Sequence, residues 1–267
     1  MPISPTIPGI IILVFIFFTQ LVIGIILVHK ALKKRIINLA YLATFSLAIA
    51  TTFLFLQLMM YTDGYIWAAL FTFFTFLSQL VLIFFIQNTY YKQQKSPFKL
   101  ILLFTLGNFV FIIISQILIS SFTLQYTWLL LAYAITYVID HALVGYWMFY
   151  ISFKHYYRYK LQNIEPWIKW RYLFVSITGI SYAHLGVPSL INVIGLMVNN
   201  GQYIPLLYLF TFILRSILFV VFSLISFITW LMPEKLRKYF NKGFVSIKDD
   251  QELSEKDIMK EFEQKEL

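Results

Sequence analysis

The sequence predicts an all-α membrane protein, a polytopic bundle of seven transmembrane helices, and three observations lead to this fold class. Of its 267 residues, 60% are apolar and only 12% are charged, whereas about 25% of the residues of a soluble domain are charged. Seven mostly apolar runs of about 20 residues or more follow one another, and each is long enough to cross a bilayer. The connections between these runs alternate between segments rich in Lys and Arg and segments that contain neither.

The apolar runs cover most of the chain and define its predicted domains. The first run has no basic leader before it and no small-residue cleavage site after it, so we expect it to stay in the membrane as an anchor. We predict a seven-helix transmembrane domain over residues 1–232, followed by a cytoplasmic amphipathic segment and acidic tail over residues 233–267. The predicted spans are 9–29, 36–61, 66–90, 100–121, 127–153, 172–198 and 203–231.

The distribution of basic residues predicts how the chain is oriented in the cell membrane. The connections near 62–65, 121–126 and 199–203 contain no Lys or Arg, and neither does the N-terminal segment. Short loops rich in Lys and Arg stay in the cytoplasm, so we expect the N-terminus outside the cell and the C-terminus in the cytoplasm. These basic residues also favour anionic lipid headgroups, rather than nucleic acid, as the partner. They are Lys30, Lys33, Lys34, Arg35, Lys92, Lys95, Lys99, Lys154, Arg158, Lys160, Lys169, Arg171, Lys235, Arg237, Lys238 and Lys242.

The segment after the seventh span predicts a short interfacial helix and a solvated tail. Pro233 ends the last span, and residues 234–241 place Leu236, Tyr239 and Phe240 on one apolar face beside basic residues, which is typical of a helix lying in the membrane interface. The stretch 249–267 carries eight acidic residues and three lysines. A charged helix could begin there at a capping box near Ser254. We expect residues 234–267 to offer a docking segment for a cytoplasmic protein.

Four ionisable residues fall near the middle of predicted spans and mark the candidate site. Asp140 and His141 lie in the fifth span, His184 in the sixth and Arg215 in the seventh. A charged residue at this depth costs about 2.5–3.5 kcal/mol, so it should face the bundle interior and be paired. Arg215 keeps its charge and Asp140 is the only acid within any span. We therefore predict an Asp140–Arg215 ion pair with His184 beside it.

Helical spacing adds further residues to this candidate ligand- or ion-binding site. Tyr137 lies on the same stripe of the fifth span as Asp140, and Asn192 roughly shares a face of the sixth span with His184. Pro188 removes a backbone hydrogen bond and predicts a kink between them. The alternative is that mid-membrane polar groups simply hold helices together, which we expect for three uncharged ones. These are Gln20, Gln79 and Asn108.

Several classes of function are disfavoured by what the chain lacks. It contains no Cys, which excludes disulfides, thiolate catalysis and cysteine-ligated metals, and no predicted span contains the Lys that a retinal Schiff base requires. The HExxH, P-loop, GxSxG and GxGxxG motifs are absent. Two histidines on consecutive spans are too few to predict a haem. With one acid in the membrane region, we expect no enzyme activity, no metal and no cofactor.

Two classes of function remain. An outside N-terminus, seven helices, an interfacial helix and a charged tail resemble, in architecture, the general plan of seven-helix receptors and of the membrane sensor regions of prokaryotic signalling proteins. This resemblance implies a receptor-like module that passes a signal to a cytoplasmic partner. The alternative is a small-solute or ion transporter with a polar site at the membrane midplane, against which we weigh the scarcity of Gly where discontinuous helices would unwind.

Overall fold

The computed structural model describes residues 7–61, 65–91, 95–121, 127–160, 162, 164–199, 201–202, 204–232 and 234–242. Within these ranges the chain forms nine α-helices and one short π-helical segment. The helices are α1 (Ile7–Lys34), α2 (Ile37–Tyr61), α3 (Tyr65–Ile86), α4 (Phe98–Ser121), α5 (Thr127–Lys160), α6 (Pro166–Ala183), α7 (Val187–Val198), α8 (Pro205–Leu231) and α9 (Glu234–Phe240), and the π-helical segment, Gln87–Tyr91, continues α3.

Within the described ranges, seven helical spans are long and apolar enough to cross a membrane, which confirms the predicted number and order of spans. They correspond to α1, α2, α3 with its π-helical segment, α4, α5, α6 together with α7, and α8. Large apolar side chains face outwards along them, as at Leu103 (70% exposed) and Leu206 (77% exposed). Burying such side chains against an apolar medium is favourable, whereas leaving a belt of them in water is not. The chain is therefore an all-helical, multi-pass integral membrane protein.

The sixth span is interrupted in the middle, where the sequence predicts a kink. α6 ends at Ala183, residues 184–186 form a turn, and α7 begins at Val187. Pro188, in the first turn of α7, has no N–H to donate. The N–H of Leu185 donates to the Tyr182 carbonyl (3.1 Å), and the N–H of Val187 donates to the His184 carbonyl (3.1 Å). These bonds span three residues rather than four, so the helical ladder is broken and not merely bent.

Three glycines let α5 approach the broken sixth span very closely. A Cβ atom added to Gly145 would lie 2.5 Å from the backbone nitrogen of Ala183, and one on Gly179 would lie 2.7 Å from the backbone nitrogen of Phe149. At the turn, a Cβ on Gly186 would lie 2.8 Å from the Cα of Val138. Small residues at such positions allow helix backbones to pack against each other in membranes. The break in the sixth span is thereby fixed against the middle of α5.

The apolar core lies where α1, α2, α3, α5, α6 and α8 converge. Its centre contains fully buried side chains, among them Ile23, Ile83, Val144 and Phe222. The ring of Tyr182 on α6 packs 6.1 Å from that of Phe45 and 5.9 Å from that of Phe222, centroid to centroid. α1 packs against α2 and α8, while α4 packs at the periphery against α3 and α5.

The π-helical segment at the end of α3 ties that helix to α5. The Trp147 indole donates to the Tyr91 hydroxyl (3.1 Å), and the Ser152 hydroxyl donates to that of Tyr90 (3.3 Å). An extra residue in a helical turn shifts the side chains that follow it around the helix. Here the shift aims two consecutive tyrosines at the same neighbouring helix.

α9 docks on the beginning of α6. Arg237 pairs with Glu165 (3.3 Å), and its guanidinium lies 4.7 Å from the centre of the Trp167 ring. The Trp167 backbone N–H donates to the Asn241 side-chain oxygen (3.1 Å). The helix predicted for residues 234–241 is thus confirmed, whereas its position in the membrane interface stays a prediction. The helix expected near Ser254, like all of residues 243–267, lies outside the described residues.

Candidate functional site

A cavity of about 210 Å³ lies inside the bundle, and we call it the central cavity. Six helices line it, namely α2, α3, α5, α6, α7 and α8. Most of its wall is aromatic or aliphatic, with one charged side chain, Arg215, and one imidazole, His141. Both residues lie near the middle of their spans, so the cavity lies about midway along the helices.

Arg215 on α8 lines this cavity, and its hydrogen-bond partner is a neutral side chain. Its Nη2 atom donates to the Ser189 hydroxyl on α7 at 2.7 Å. No carboxylate pairs with it among the residues that the structure describes. The predicted Asp140–Arg215 ion pair is therefore wrong. A guanidinium has five N–H donors, and this one makes a single hydrogen bond to the described residues.

Asp140 lies on another face of α5, turned towards α4. Its side chain is 3% exposed, and its Oδ1 atom accepts a hydrogen bond of 2.8 Å from the Thr105 hydroxyl. The amide groups of Gln79 and Asn108 lie near the same carboxyl group. Asp140 lines a second, much smaller cavity of about 20 Å³. The carboxyl group is thus held by neutral side chains from α3 and α4.

Two tyrosines separate the acid from the arginine. Tyr133 and Tyr137 stack with their ring centroids 6.3 Å apart, and both line the small cavity beside Asp140 as well as the central cavity beside Arg215. Similar depth in the sequence did not bring the two charges together because they face opposite sides of this aromatic pair. The predicted role of Tyr137 at the site is compatible with this position.

His141 forms part of the wall of the central cavity. Its ring lies 4.2 Å from that of Tyr137 and 5.1 Å from that of Tyr182, centroid to centroid. The Nδ1 atom is 2.9 Å from the Tyr137 carbonyl oxygen and 3.3 Å from the Gln79 amide nitrogen. A carbonyl oxygen can only accept, so Nδ1 carries the hydrogen and Nε2 is left as the acceptor of a neutral imidazole.

Two of the predicted site residues lie elsewhere. His184 sits in the turn between α6 and α7, where its Nδ1 atom contacts the Ile180 carbonyl (2.8 Å) and its Nε2 atom contacts the Tyr146 hydroxyl (3.2 Å) on the outer side of the bundle. Asn192 accepts a hydrogen bond from the Thr211 hydroxyl (2.7 Å) and joins α7 to α8. His184 and Asn192 do not share a helix face, because the break after Ala183 places them on different helical segments. Neither lines the central cavity.

No family model, curated protein or solved structure matches the chain. Within the described ranges, no group of three or more His, Asp or Glu side chains is placed to hold a metal ion. A function therefore has to follow from the chemistry of the cavity itself.

Sequence reasoning missed the contribution of the sixth span to the cavity. Tyr182, Leu185 and Ser189 line it, and their spacing of three and four residues was a visible helical stripe. Tyr182 is 1% exposed, and its hydroxyl makes no hydrogen bond to any described residue, although Ser78 and Gln79 lie near it. A buried hydroxyl that is unpaired is costly, which makes this atom a candidate contact for a bound molecule.

The uncharged mid-membrane amides join helices, as the sequence predicts. Gln20 on α1 donates to the Ser223 hydroxyl on α8 (3.2 Å), and Asn108 on α4 donates to the Thr136 carbonyl on α5 (3.2 Å). Gln79 on α3 packs against His141 on α5, whose Nδ1–H is donated to the Tyr137 carbonyl. Interhelical hydrogen bonds such as those of Gln20 and Asn108 contribute about 0.6 kcal/mol each on average. These residues hold in place the helices that surround the central cavity.

Proposed function

We propose that this protein is a receptor-like membrane sensor that binds a small molecule in the central cavity and passes a signal to a cytoplasmic partner. The main support for the proposal is that one helix, α6, contacts both the central cavity and α9. Tyr182, near its end, lines the cavity, while Trp167, near its beginning, contacts α9. Through α6, binding in the cavity would act on the position of α9.

The cavity has the composition of a small-molecule site. Ligand sites are typically concave and mostly apolar, with a few polar groups that fix the orientation of the ligand. The central cavity offers the Arg215 guanidinium, the His141 ring and the unpaired Tyr182 hydroxyl within an aromatic wall. At about 210 Å³ it is smaller than pockets for drug-sized compounds, so the ligand is a small one.

Transmission would run along α6. Its 18 residues span about 27 Å at 1.5 Å per residue, and a helix of this length moves as a rod. The break after Ala183 uncouples α6 from α7, so a ligand that moves Tyr182 or Leu185 can shift α6 without moving the whole sixth span. At the other end, Glu165 and Trp167 hold α9 through Arg237 and Asn241. Residues 234–267 are the proposed contact for the partner.

The proposal includes the orientation that the basic residues predict. With the N-terminus outside and the C-terminus in the cytoplasm, α9 and the basic connections face the inner leaflet, where anionic headgroups attract Lys and Arg. The exposed basic side chains of α9, including Lys235 and Lys238, support this placement. A signal reaching α9 would then arrive at the cytoplasmic surface of the cell membrane.

A second candidate is a small-solute transporter, and the break in the sixth span favours it. Transporter sites at the membrane midplane are typically formed beside discontinuous helices. Here the interruption at residues 184–186 adjoins the central cavity through Leu185 and Ser189. The two candidates share the binding site and differ in whether the ligand crosses the membrane.

A binding screen with a matched pair of variants tests the shared site. Fragments of up to about twelve non-hydrogen atoms are screened by thermal unfolding of the purified protein in lipid nanodiscs. Thr52→Phe fills the cavity, whereas Thr51→Phe changes a neighbouring threonine that does not line it. Both hydroxyls bond only to a carbonyl of their own helix, at 2.9 Å, so neither change removes a hydrogen bond between helices, although Thr52 is buried and Thr51 is half-buried. Fragments that stabilise the wild type should stabilise Thr51→Phe but not Thr52→Phe.

A second measurement separates the sensor from the transporter. The chain contains no Cys, so engineered cysteines at Lys154 and Lys238 are unique sites for spin labels. A fragment that binds should change the distance between α5 and α9 and should not accumulate in proteoliposomes above the level of empty vesicles. Accumulation that is abolished by Thr52→Phe would reject the sensor in favour of the transporter. Absence of any fragment that distinguishes the two threonine variants would reject both.

A further inference from the structure

The charge of Arg215 has no counterpart in the described bundle. Arginine stays protonated at any physiological pH, and a charge at mid-membrane depth is costly unless it is paired. Its described partner, the Ser189 hydroxyl, is neutral, and the acid of the fifth span is held by Thr105 beyond the tyrosine pair. Arg215 also lines the central cavity. The missing negative charge therefore has a place in that cavity.

A carboxylate fits this guanidinium better than a spherical anion does. The planar fork of arginine presents parallel N–H donors that match the two oxygens of a carboxylate. Since only one donor is taken up by Ser189, such a pair remains available. A phosphate group matches the same fork, but its three peripheral oxygens and higher charge need further donors, and the cavity-lining hydroxyls of Thr52, Thr75 and Ser78 already donate to carbonyls of their own helices.

The rest of the cavity wall favours a flat apolar group on the ligand. Six phenyl or phenol rings line the cavity besides the His141 imidazole, and aromatic rings favour stacked or edge-to-face contacts with another ring. An apolar protein cavity of 150 Å³ is enough for benzene. The central cavity, at about 210 Å³, has room for such a ring together with a carboxylate. The six rings are those of Phe53, Phe71, Tyr133, Tyr137, Tyr182 and Phe219.

A second polar group on the ligand would have a partner as well. Tyr182 lines the cavity, and its buried hydroxyl bonds to no described residue. The Nε2 atom of His141 likewise has no hydrogen-bond partner in the described ranges. A ring hydroxyl on the ligand can donate to one of these groups and accept from the other. An unsubstituted ring leaves the Tyr182 hydroxyl unpaired.

We propose that the central cavity binds a small aromatic monocarboxylate, with the carboxylate on Arg215 and the ring between His141, Tyr182 and Phe219. The inference rests on the proposed function only in taking the cavity as the ligand site. It adds the chemical class of the ligand and the residue that selects its charge.

The test uses benzoate and its isosteres on the full-length protein in nanodiscs. Benzoate should raise the unfolding temperature in a saturable way, while neutral benzamide, cationic benzylamine and ring-free acetate should each bind at least about tenfold more weakly. Arg215→Gln should lose the benzoate response, and Arg158→Gln, a matched change at the exposed cytoplasmic end of α5, should keep it. Equal binding of benzamide, or a benzoate response that survives Arg215→Gln, would overturn the proposal.

Two further variants keep the test decisive. If Arg215→Gln cannot be extracted as a monodisperse protein, Arg215→Lys takes its place, because lysine keeps the charge without the fork and should weaken benzoate binding about tenfold. One of the three hydroxybenzoates should bind more tightly than benzoate, and Tyr182→Phe should remove that difference. A preference for the hydroxybenzoate that survives Tyr182→Phe would contradict the assigned ring position.

The experiments distinguish a failure of the proposed ligand class from a failure of the proposed sensor function. Benzamide or benzyl alcohol binding that Thr52→Phe blocks, with no benzoate binding, would reject the carboxylate and leave the cavity as a ligand site. Benzoate binding that depends on Arg215 but leaves the α5–α9 label distance unchanged would support the carboxylate and reject the sensor.

Discussion

Replacing Gly145 by alanine tests how closely α5 and α6 must approach. The new Cβ atom would lie 2.5 Å from the Ala183 nitrogen and 2.7 Å from its Cα. Carbon contacts are most favourable at about 3.5–4.0 Å, so the helices must separate by roughly 1 Å. Overpacking of this kind costs about 1–3 kcal/mol, and a 2.5 Å contact with backbone atoms, which cannot rotate away, belongs in the upper part of that range, so the cost outweighs the gain of about 1 kcal/mol in helix propensity. We expect Gly145→Ala to lower the free energy of unfolding by about 1–2 kcal/mol.

Gly107 on α4 is the matched control. A Cβ atom added there meets no other atom within 4 Å, so Gly107→Ala should be neutral or stabilise the protein by up to about 1 kcal/mol. Unfolding is followed in mixed micelles with increasing SDS, using the fluorescence of the six tryptophans. Ala183→Gly should not rescue Gly145→Ala, because the closest contact is with backbone atoms. Equal stability of Gly145→Ala and the wild type would refute the close approach of the two helices.

The same change should reach the central cavity. Ala183 follows Tyr182, which lines the cavity, and a displacement of roughly 1 Å is comparable to the tolerance of a binding site. Gly145→Ala should therefore weaken benzoate binding, whereas Gly107→Ala should not. Binding that is unaffected in a destabilised Gly145→Ala protein would show that the packing of α5 on α6 does not position the site.

Three other changes test the remaining contacts. Gln20→Leu loses a hydrogen bond worth about 0.6 kcal/mol, but it also removes a buried amide oxygen that has no partner among the described residues. The unfolding free energy of this variant should therefore stay within about 1 kcal/mol of the wild type. Thr211→Val leaves the Asn192 amide oxygen on α7 without its hydrogen-bond donor and should lower the unfolding free energy by about 1–3 kcal/mol. Glu165→Gln breaks an exposed pair with Arg237 worth about 0.2–1 kcal/mol, and should mainly speed hydrogen exchange in α9.

The spans could be predicted because their signal is local. Each is a run of apolar residues of the right length, and the structure confirms all seven. The ends are less certain, since α5 continues to Lys160 rather than stopping near residue 153. The bilayer sets a minimum length for a helix and no maximum. Pro188 marked a weak point in the sixth span, but a complete break also required Gly186 to pack on α5, which is a tertiary contact.

The site could be predicted only in part. The sequence shows how far along its helix a residue lies, but it does not show in which direction around the helix axis the side chain points. Counting residues placed Asp140, His141 and Arg215 near the middle of their spans, and the structure has them there along α5 and α8. It could not show which neighbouring helix each would face. Asp140 and His141 are adjacent and differ by about 100° around α5, so one turns towards Thr105 on α4 and the other towards the central cavity. The break in the sixth span then carried His184 away from both.

The separation of Asp140 from Arg215 gives the last prediction. If each residue acts alone, Asp140→Asn keeps an acceptor for the Thr105 hydroxyl, stays within about 1 kcal/mol of wild-type stability and leaves benzoate binding unchanged. Combining it with Arg215→Gln should then give additive changes in unfolding free energy, to within about 0.5 kcal/mol. A true ion pair would behave differently, because removal of one partner leaves a buried charge that the second substitution relieves. A coupling energy above about 1 kcal/mol in this cycle would show that the two charges interact across the tyrosine pair. The arginine would then already have its counter-charge, and an anionic ligand would no longer be needed to explain it.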